Sequence, residues 1–131
     1  MPSLFSSIIA RELPAYIVAE DEKHIAFLDI NPNALGHTLC VPKKEVDKLF
    51  DLSASEYQDL MMFSRSVAAA LKQVVSCKRI GLTVIGLEVP HVHVHLIPLH
   101  DMADATFKKK VAPSKEEMQT LTQQISAVLK Q

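Results

Sequence analysis

The sequence predicts an α+β fold, an antiparallel five-stranded sheet with a long central helix and a C-terminal helix, and three observations lead there. The elements read in the order helix, three strands, helix, two strands, helix. Most strand connections are too short for parallel crossovers, so neighbours run antiparallel. The stretch His91-Val92-His93-Val94-His95-Leu96-Ile97 alternates imidazole with apolar side chains, which on a strand puts the histidines on one face and Val92, Val94 and Leu96 on the other. At 131 residues and 48% hydrophobic, residues 1–131 are expected to form a single domain with one real core.

Each element has its own signal. Residues 3–11 place Leu4, Phe5, Ile8 and Ile9 on one helical face, and Pro14 stops that helix. Tyr16 to Ala19 and Ile25 to Leu28 are β-leaning runs separated by Glu20-Asp21-Glu22-Lys23, the form of a hairpin, and Asp29 closes the second strand. Asn31-Pro32-Asn33-Ala34-Leu35-Gly36 is rich in turn residues. His37 to Val41 is then a third strand ended by Pro42, with His37 at its mouth.

Ser53-Ala54-Ser55-Glu56 has the pattern of a capping box, and from Tyr57 to Val75 apolar residues recur at steps of three and one, so this is the long amphipathic helix. Ile80 to Ile85 is a fourth strand, and Gly86 to Pro90 leads into the histidine strand, which runs to about Leu99. Ser114 to Glu117 repeats the capping-box pattern, and Met118, Leu121, Ile125, Val128 and Leu129 give the last helix its apolar stripe. Val92, Val94 and Leu96 are expected to pack under the long helix, which leaves the histidines clustered and accessible on the other face.

Composition excludes several classes. With 14 Lys+Arg against 15 Asp+Glu there is no basic field for nucleic acid, and an anionic ligand must be small and locally bound. Arg11 and Glu12 follow the apolar N-terminal residues at once, so neither a signal peptide nor a membrane span is expected. Two cysteines, Cys40 and Cys77, form no disulfide framework and suit a reducing compartment, so the expected location is cytoplasmic. Lys108-Lys109-Lys110 reads as a solvated loop or as a device for drawing in a phosphate. His24 reads as a surface strand residue and His100 as a neighbour of the site's edge. By spacing alone the histidine row is either a site or an exposed strand whose polar face carries His.

The histidine stretch resembles the histidine triad (HIT) signature, and the likeness extends upstream. Phe27 to Pro32 followed by Gly36 to Lys44 resembles that family's nucleotide-binding segment, and Leu4 to Ile9 with Glu12-Leu13-Pro14 resembles its N-terminal helix. The resemblance implies a hydrolase or transferase cleaving at the α-phosphorus of nucleoside monophosphate derivatives, phosphoramidates or adenylated compounds, on a HIT-like fold. It implies His93 as the nucleophile forming a nucleotidyl-histidine intermediate, with His91, His95 and His37 around the phosphate. Asp29 would take the ribose hydroxyls, and Phe5, Ile8, Leu13, Phe27, Ile30 and Leu39 would form an apolar slot for the base of an AMP- or GMP-like nucleotide. The family's usual pairing implies a homodimer with one continuous sheet.

The chemistry of the residues agrees. Near neutral pH an imidazole attacks phosphorus and leaves as readily, which divides one difficult displacement into two easier ones. Neighbouring imidazoles can stabilise charge on the phosphoryl oxygens, while crowding lowers each pKa. On the residues alone, Asp29 reads first as a strand-end residue that caps a turn, and Phe5, Ile8, Phe27 and Ile30 read first as core.

The sequence also departs from the family. Many relatives have a longer Gly- and Asn-containing loop before the histidine strand, with a small hydroxyl residue where this chain has Glu88. Glu88 is read as a general acid, as an orienting partner for a triad histidine, or as a solvent-facing loop residue. Some bacterial relatives bind zinc through two N-terminal cysteines and histidines, where this chain has Ser3 and Ser6. Hydroxyls are poor zinc ligands, so no metal and no other cofactor is expected, although the histidine cluster with His37 has the chemistry to hold one. Two alternatives to the enzyme therefore stand, a nucleotide-binding module with little turnover and a metal-binding protein using the His cluster.

Overall fold

The computed structural model describes residues 2–130. In chain order the elements are helix α1 (Leu4–Ile9), strands β1 (Ile17–Glu20), β2 (His24–Leu28) and β3 (Thr38–Pro42), helix α2 (Ala54–Val74), strands β4 (Arg79–Thr83) and β5 (Val94–Leu99), and helix α3 (Lys115–Leu129). Two short 3-10 turns, Leu49–Asp51 and Met102–Ala105, lie between them. The five strands form one sheet in the order β1-β2-β3-β5-β4, and every pairing is antiparallel. Both expected capping boxes form, at Ser53 with Glu56 and at Ser114 with Glu117, each satisfying two backbone N–H groups at a helix start.

The sheet has two different faces because strand side chains alternate. Ala26, Cys40 and Val94 stand in register on one face, and with Leu28, Val92 and Leu96 they pack against Leu60, Val67 and Leu71 of α2 and Met118, Leu121 and Ile125 of α3. This is the main core. On the opposite face Phe27 pairs Leu39 and Leu39 pairs His95 in register, and Phe5 and Ile8 of α1 close over Ile25, Phe27, Leu39 and Val41. The helix-covered face anchors the sheet, and the α1 face carries the chemistry.

Two expectations change here. The histidine row is not an exposed strip, because His91 is fully buried and His93 and His95 are each only 7% exposed. Regular pairing begins at Val94, so His91 and His93 precede β5 in an irregular lead that α1 covers. His24 is buried as well, since its ring stacks on Phe63 of α2 at 4.9 Å and its Nδ1 meets the Asp21 carboxylate at 3.0 Å. Among the described residues no helix is long and apolar enough to cross a membrane.

Candidate active site

The turn before β3 places the first imidazole. Gly36 has φ +96, and a Cβ there would lie 2.9 Å from Val75 Cγ2 and 3.2 Å from Leu71 Cδ1, so only glycine lets the chain turn this close to α2. His37 follows, fully buried, and its Nδ1 accepts the Asn33 N–H at 3.0 Å. Its proton therefore sits on Nε2, which donates to His95 Nδ1 at 2.9 Å. That bond in turn leaves the His95 proton on Nε2.

The same reasoning sets the other two rings. His93 Nδ1 lies 2.7 Å from the His91 carbonyl, which can only accept, so Nδ1 carries the proton and Nε2 keeps its lone pair. His91 Nε2 donates to the Pro42 carbonyl at 2.7 Å, and its Nδ1 accepts from Ser3 Oγ at 2.6 Å. Both nitrogens of His91 are thus committed to the protein. Ser3 is also the N-cap of α1, accepting the Ser6 N–H, and Glu45 accepts from Ser3 N at 2.6 Å and Ser6 Oγ at 2.7 Å. These hydrogen bonds hold the Glu45 carboxyl down at about 2. The cluster ties α1, the chain after β3 and the histidine lead into one unit.

Electrostatics separate the remaining groups. Burial, reinforced by the neighbouring imidazole, drives His37 down to about 3 and His95 down to about 4. Burial also lowers His93, so these rings are neutral at pH 7. Asp29 goes the other way, since burial raises it despite the Asn31 N–H bonded to its Oδ1 at 2.8 Å. Asp29 Oδ2 lies 3.7 Å from His37 Nε2. Asp29, His37 and His95 each bring one ligand atom within 4.8 Å of the others, and two neutral imidazoles with a carboxylate suit a divalent transition ion.

His93, His95 and Asp29 open onto a cavity of about 450 Å³, a size within the range of small-ligand pockets. Phe5, Leu39 and Glu88 also line it, so six of the twelve residues singled out for the site from the sequence meet around one space. The others lie elsewhere. His91 and His37 sit behind the cavity wall as supports. Ile8 and Phe27 are buried beneath Phe5 in the small core. Ile30 is 82% exposed because the chain leaves the sheet after Leu28 and alternation ends, and Leu13, past the end of α1, is 40% exposed. His100 bonds Asp104 and the Ser76 carbonyl, away from the cavity.

Two further residues line the cavity from the C-terminal side, Phe107 and Lys110. The Phe107 ring meets His95 edge-on at 4.9 Å and His37 at 6.0 Å. Its φ is 62, a left-handed backbone conformation that costs a non-glycine residue about 1 kcal/mol or more and persists only where the surroundings enforce it. Here they do: Val111 N–H bonds the Pro32 carbonyl at 3.0 Å, and buried Asn33 donates from Nδ2 to the Asp104 carbonyl at 2.9 Å. Phe107 has no sequence signal, being neither glycine nor part of a period. For Lys110 the lysine run was the one available hint.

An antiparallel five-stranded sheet that sets alternate histidines at the floor of such a cavity defines a histidine-triad protein. The chain belongs to the HIT family: residues 10–102 match the model described as the HIT domain. It is 34% identical over 132 residues to an uncharacterized HIT-like protein of Borreliella burgdorferi, covering 94% of this chain and 95% of that one. It is 36% identical over 99 residues to the adenosine 5'-monophosphoramidase HNT1 of Saccharomyces cerevisiae, covering 75% of this chain and 63% of the yeast protein. A hypothetical histidine triad nucleotide-binding protein of Sulfolobus tokodaii superposes with TM-score 0.81 at 32% identity, over 96% of this chain and 91% of that one.

Proposed function

We propose that the chain is a nucleotidyl hydrolase or transferase that cleaves at the α-phosphorus of nucleoside monophosphate derivatives, with phosphoramidates and adenylated compounds as its substrate class. The observation that carries this reading is the tautomer of His93: its Nδ1 proton is committed to the His91 carbonyl and its pKa is lowered, so Nε2 presents an unprotonated lone pair to the cavity. Nε2 attacks the α-phosphorus, the bond to the leaving group breaks, and the departing nitrogen or oxygen takes a proton. Water then attacks the nucleotidyl-histidine and releases the nucleoside monophosphate with His93 restored. The His95 Nε2 proton stabilises the phosphoryl oxygens, His37 fixes the His95 tautomer, and Asp29 takes ribose hydroxyls. Phe5 and Leu39 form the apolar wall for the base, and Glu88 at the rim is the candidate proton donor to the leaving group.

Two chains are proposed to pair through β4. It is an edge strand, and exposed Leu82, Ile85, Leu87 and Phe50 border the groove beside it, an apolar surface that a second copy would cover. Both cysteines are free thiols, as a cytoplasmic protein would keep them.

The test is hydrolysis of an adenosine phosphoramidate by the wild type and by His93→Ala, with an alkaline quench that preserves protein-bound AMP. The expected result is an adduct in the wild type and a loss of turnover on the order of 10³-fold or more in the variant. AMP binding without turnover or adduct would replace the enzyme with the binding-module reading, which the exposed Glu88 beside an anionic substrate favours. A transition ion that survives dialysis at Asp29, His37 and His95 would favour the metal-binding reading.

A further inference from the structure

The catalytic scheme gives no task to the Glu45 carboxylate, which stands in the chain after β3 with its side chain 38% exposed and does not line the cavity. Its bonds nevertheless run inward. One oxygen, Oε1, accepts both the Ser3 N–H at 2.6 Å and the Ser6 hydroxyl at 2.7 Å, so the two ends of the first turn of α1 are fixed to a single atom. Ser6 has then used its only hydroxyl proton, and Ser3 keeps its own for a partner. Ser3 Oγ lies 2.6 Å from His91 Nδ1 and 3.3 Å from Ser6 Oγ, so the shorter bond, to His91, takes that proton.

The far end of the chain of bonds is the peptide between His91 and Val92. Its carbonyl commits the His93 proton to Nδ1 at 2.7 Å, and its N–H donates to the Val46 carbonyl at 2.7 Å. A trans peptide is planar and points these two groups in opposite directions, so the carbonyl cannot turn from His93 without breaking the bond to Val46. Two adjacent residues therefore hold one peptide. Val46 holds its N–H directly, while Glu45 acts through Ser3 on the His91 ring, whose Nε2 is already fixed on the Pro42 carbonyl. An imidazole released from the His91 carbonyl is free to carry its proton on Nε2, and in that form it offers the cavity no lone pair.

We propose that Glu45 is a positioning residue for the reaction: by fixing Ser3 against His91 it keeps the His91 carbonyl on His93 Nδ1, and so keeps His93 Nε2 unprotonated and aimed into a cavity that Glu45 itself does not touch. This rests on the nucleotidyl-transfer reading above. Because Glu45 stands outside the cavity, its removal reaches the reacting nitrogen and spares the ligand contacts.

The experiment compares the wild type with Glu45→Ala, Glu45→Gln and Ser114→Ala. Glutamine keeps an accepting oxygen, and Ser114→Ala lowers stability by removing the capping box of α3 on the opposite face of the sheet. Steady-state hydrolysis of an adenosine phosphoramidate, calorimetry with AMP and ¹⁵N histidine spectra at pH 7 are recorded for each, and circular dichroism confirms that each is folded. Glu45→Ala is expected to lower kcat about 10-fold or more, with KM and AMP affinity moving less than about 3-fold. Its His93 gains a population protonated on Nε2. Glu45→Gln keeps most of the rate, and Ser114→Ala keeps kcat and the His93 tautomer despite a lower urea midpoint. If kcat holds in Glu45→Ala, if the loss falls on KM, if kcat falls with the His93 tautomer unchanged, or if Ser114→Ala loses as much, the positioning role is overturned and the nucleotide reading stands. If the wild type shows no turnover, the nucleotide reading fails and the positioning role falls with it.

Discussion

The cavity is flanked by two clusters built on opposite terms. On the N-terminal side Ser3, Ser6, Glu45 and His91 close on one another, and each nitrogen of His91 already has a partner. On the C-terminal side Asp104, Phe107 and Lys110 are fastened through Asn33 to the loop after β2, and Phe107 and Lys110 line the cavity. Both hold histidines in place, and only the second has capacity left for a ligand. In a row of three chemically identical side chains, role is therefore set by what saturates each ring. His91 is a support, while His93 and His95 keep a nitrogen for chemistry.

The closed cluster should fail by loss of stability. Ser3→Ala removes the α1 N-cap and leaves His91 Nδ1 buried without its donor. Together these cost on the order of 2 kcal/mol, read as a lower urea midpoint at unchanged slope. A change below about 0.5 kcal/mol would show that the cluster carries no weight and blur the contrast between the two sides.

Acid should act on the histidines before the carboxylates. Unfolded histidines take up protons below about pH 6.5, whereas His37 and His95 in the fold do so only near about 3 and about 4. Between those limits the unfolded chain binds more protons, so stability rises with pH across that window. The change is on the order of 2 kcal/mol for each of the two rings between pH 4.5 and 6.5, softened at its lower end by the raised Asp29 carboxyl, which takes a proton more readily in the fold. Glu45, Glu56 and Asp104, each held at about 2 in the fold, lose their contributions only as pH falls below the ordinary carboxylate range. Melting temperatures from pH 4 to 7 test this, and a flat profile between 4.5 and 6.5 would contradict it.

The smallest effect separates strain from packing on the open side. Phe107→Ala and Phe107→Gly both remove the ring over His95, but only glycine relaxes the backbone at φ 62. The glycine variant should be the more stable by about 1 kcal/mol in thermal melts. Equal stabilities would mean that the conformation is not strained.

The helix-covered half of the fold was legible because it obeys local periods. Two capping boxes, the helical stripes of α2 and α3 and the Val92, Val94, Leu96 row all reach the core that their spacing implies. What lay outside the reach of pattern was contact between distant segments. Ser3 meets His91 across 88 residues, and Lys110 meets Asn33 across 77, so no periodicity could pair them. Burial of the histidine row follows from the same cause, because α1 closes over it. Ile30 shows the converse limit: apolar character next to Asp29 suggested the slot, but the end of alternation at the strand's end turns it to solvent.

The tautomer of His93 can be measured directly by long-range nitrogen–proton correlation on protein labelled with ¹⁵N in its histidines, assigned with His93→Ala, at pH 7 without ligand. The account predicts a protonated Nδ1 and an unprotonated Nε2 for His93, with the reverse assignment of donor and acceptor at His95. A His93 ring protonated on Nε2 would contradict it, since the lone pair required for attack would then face the protein and not the cavity.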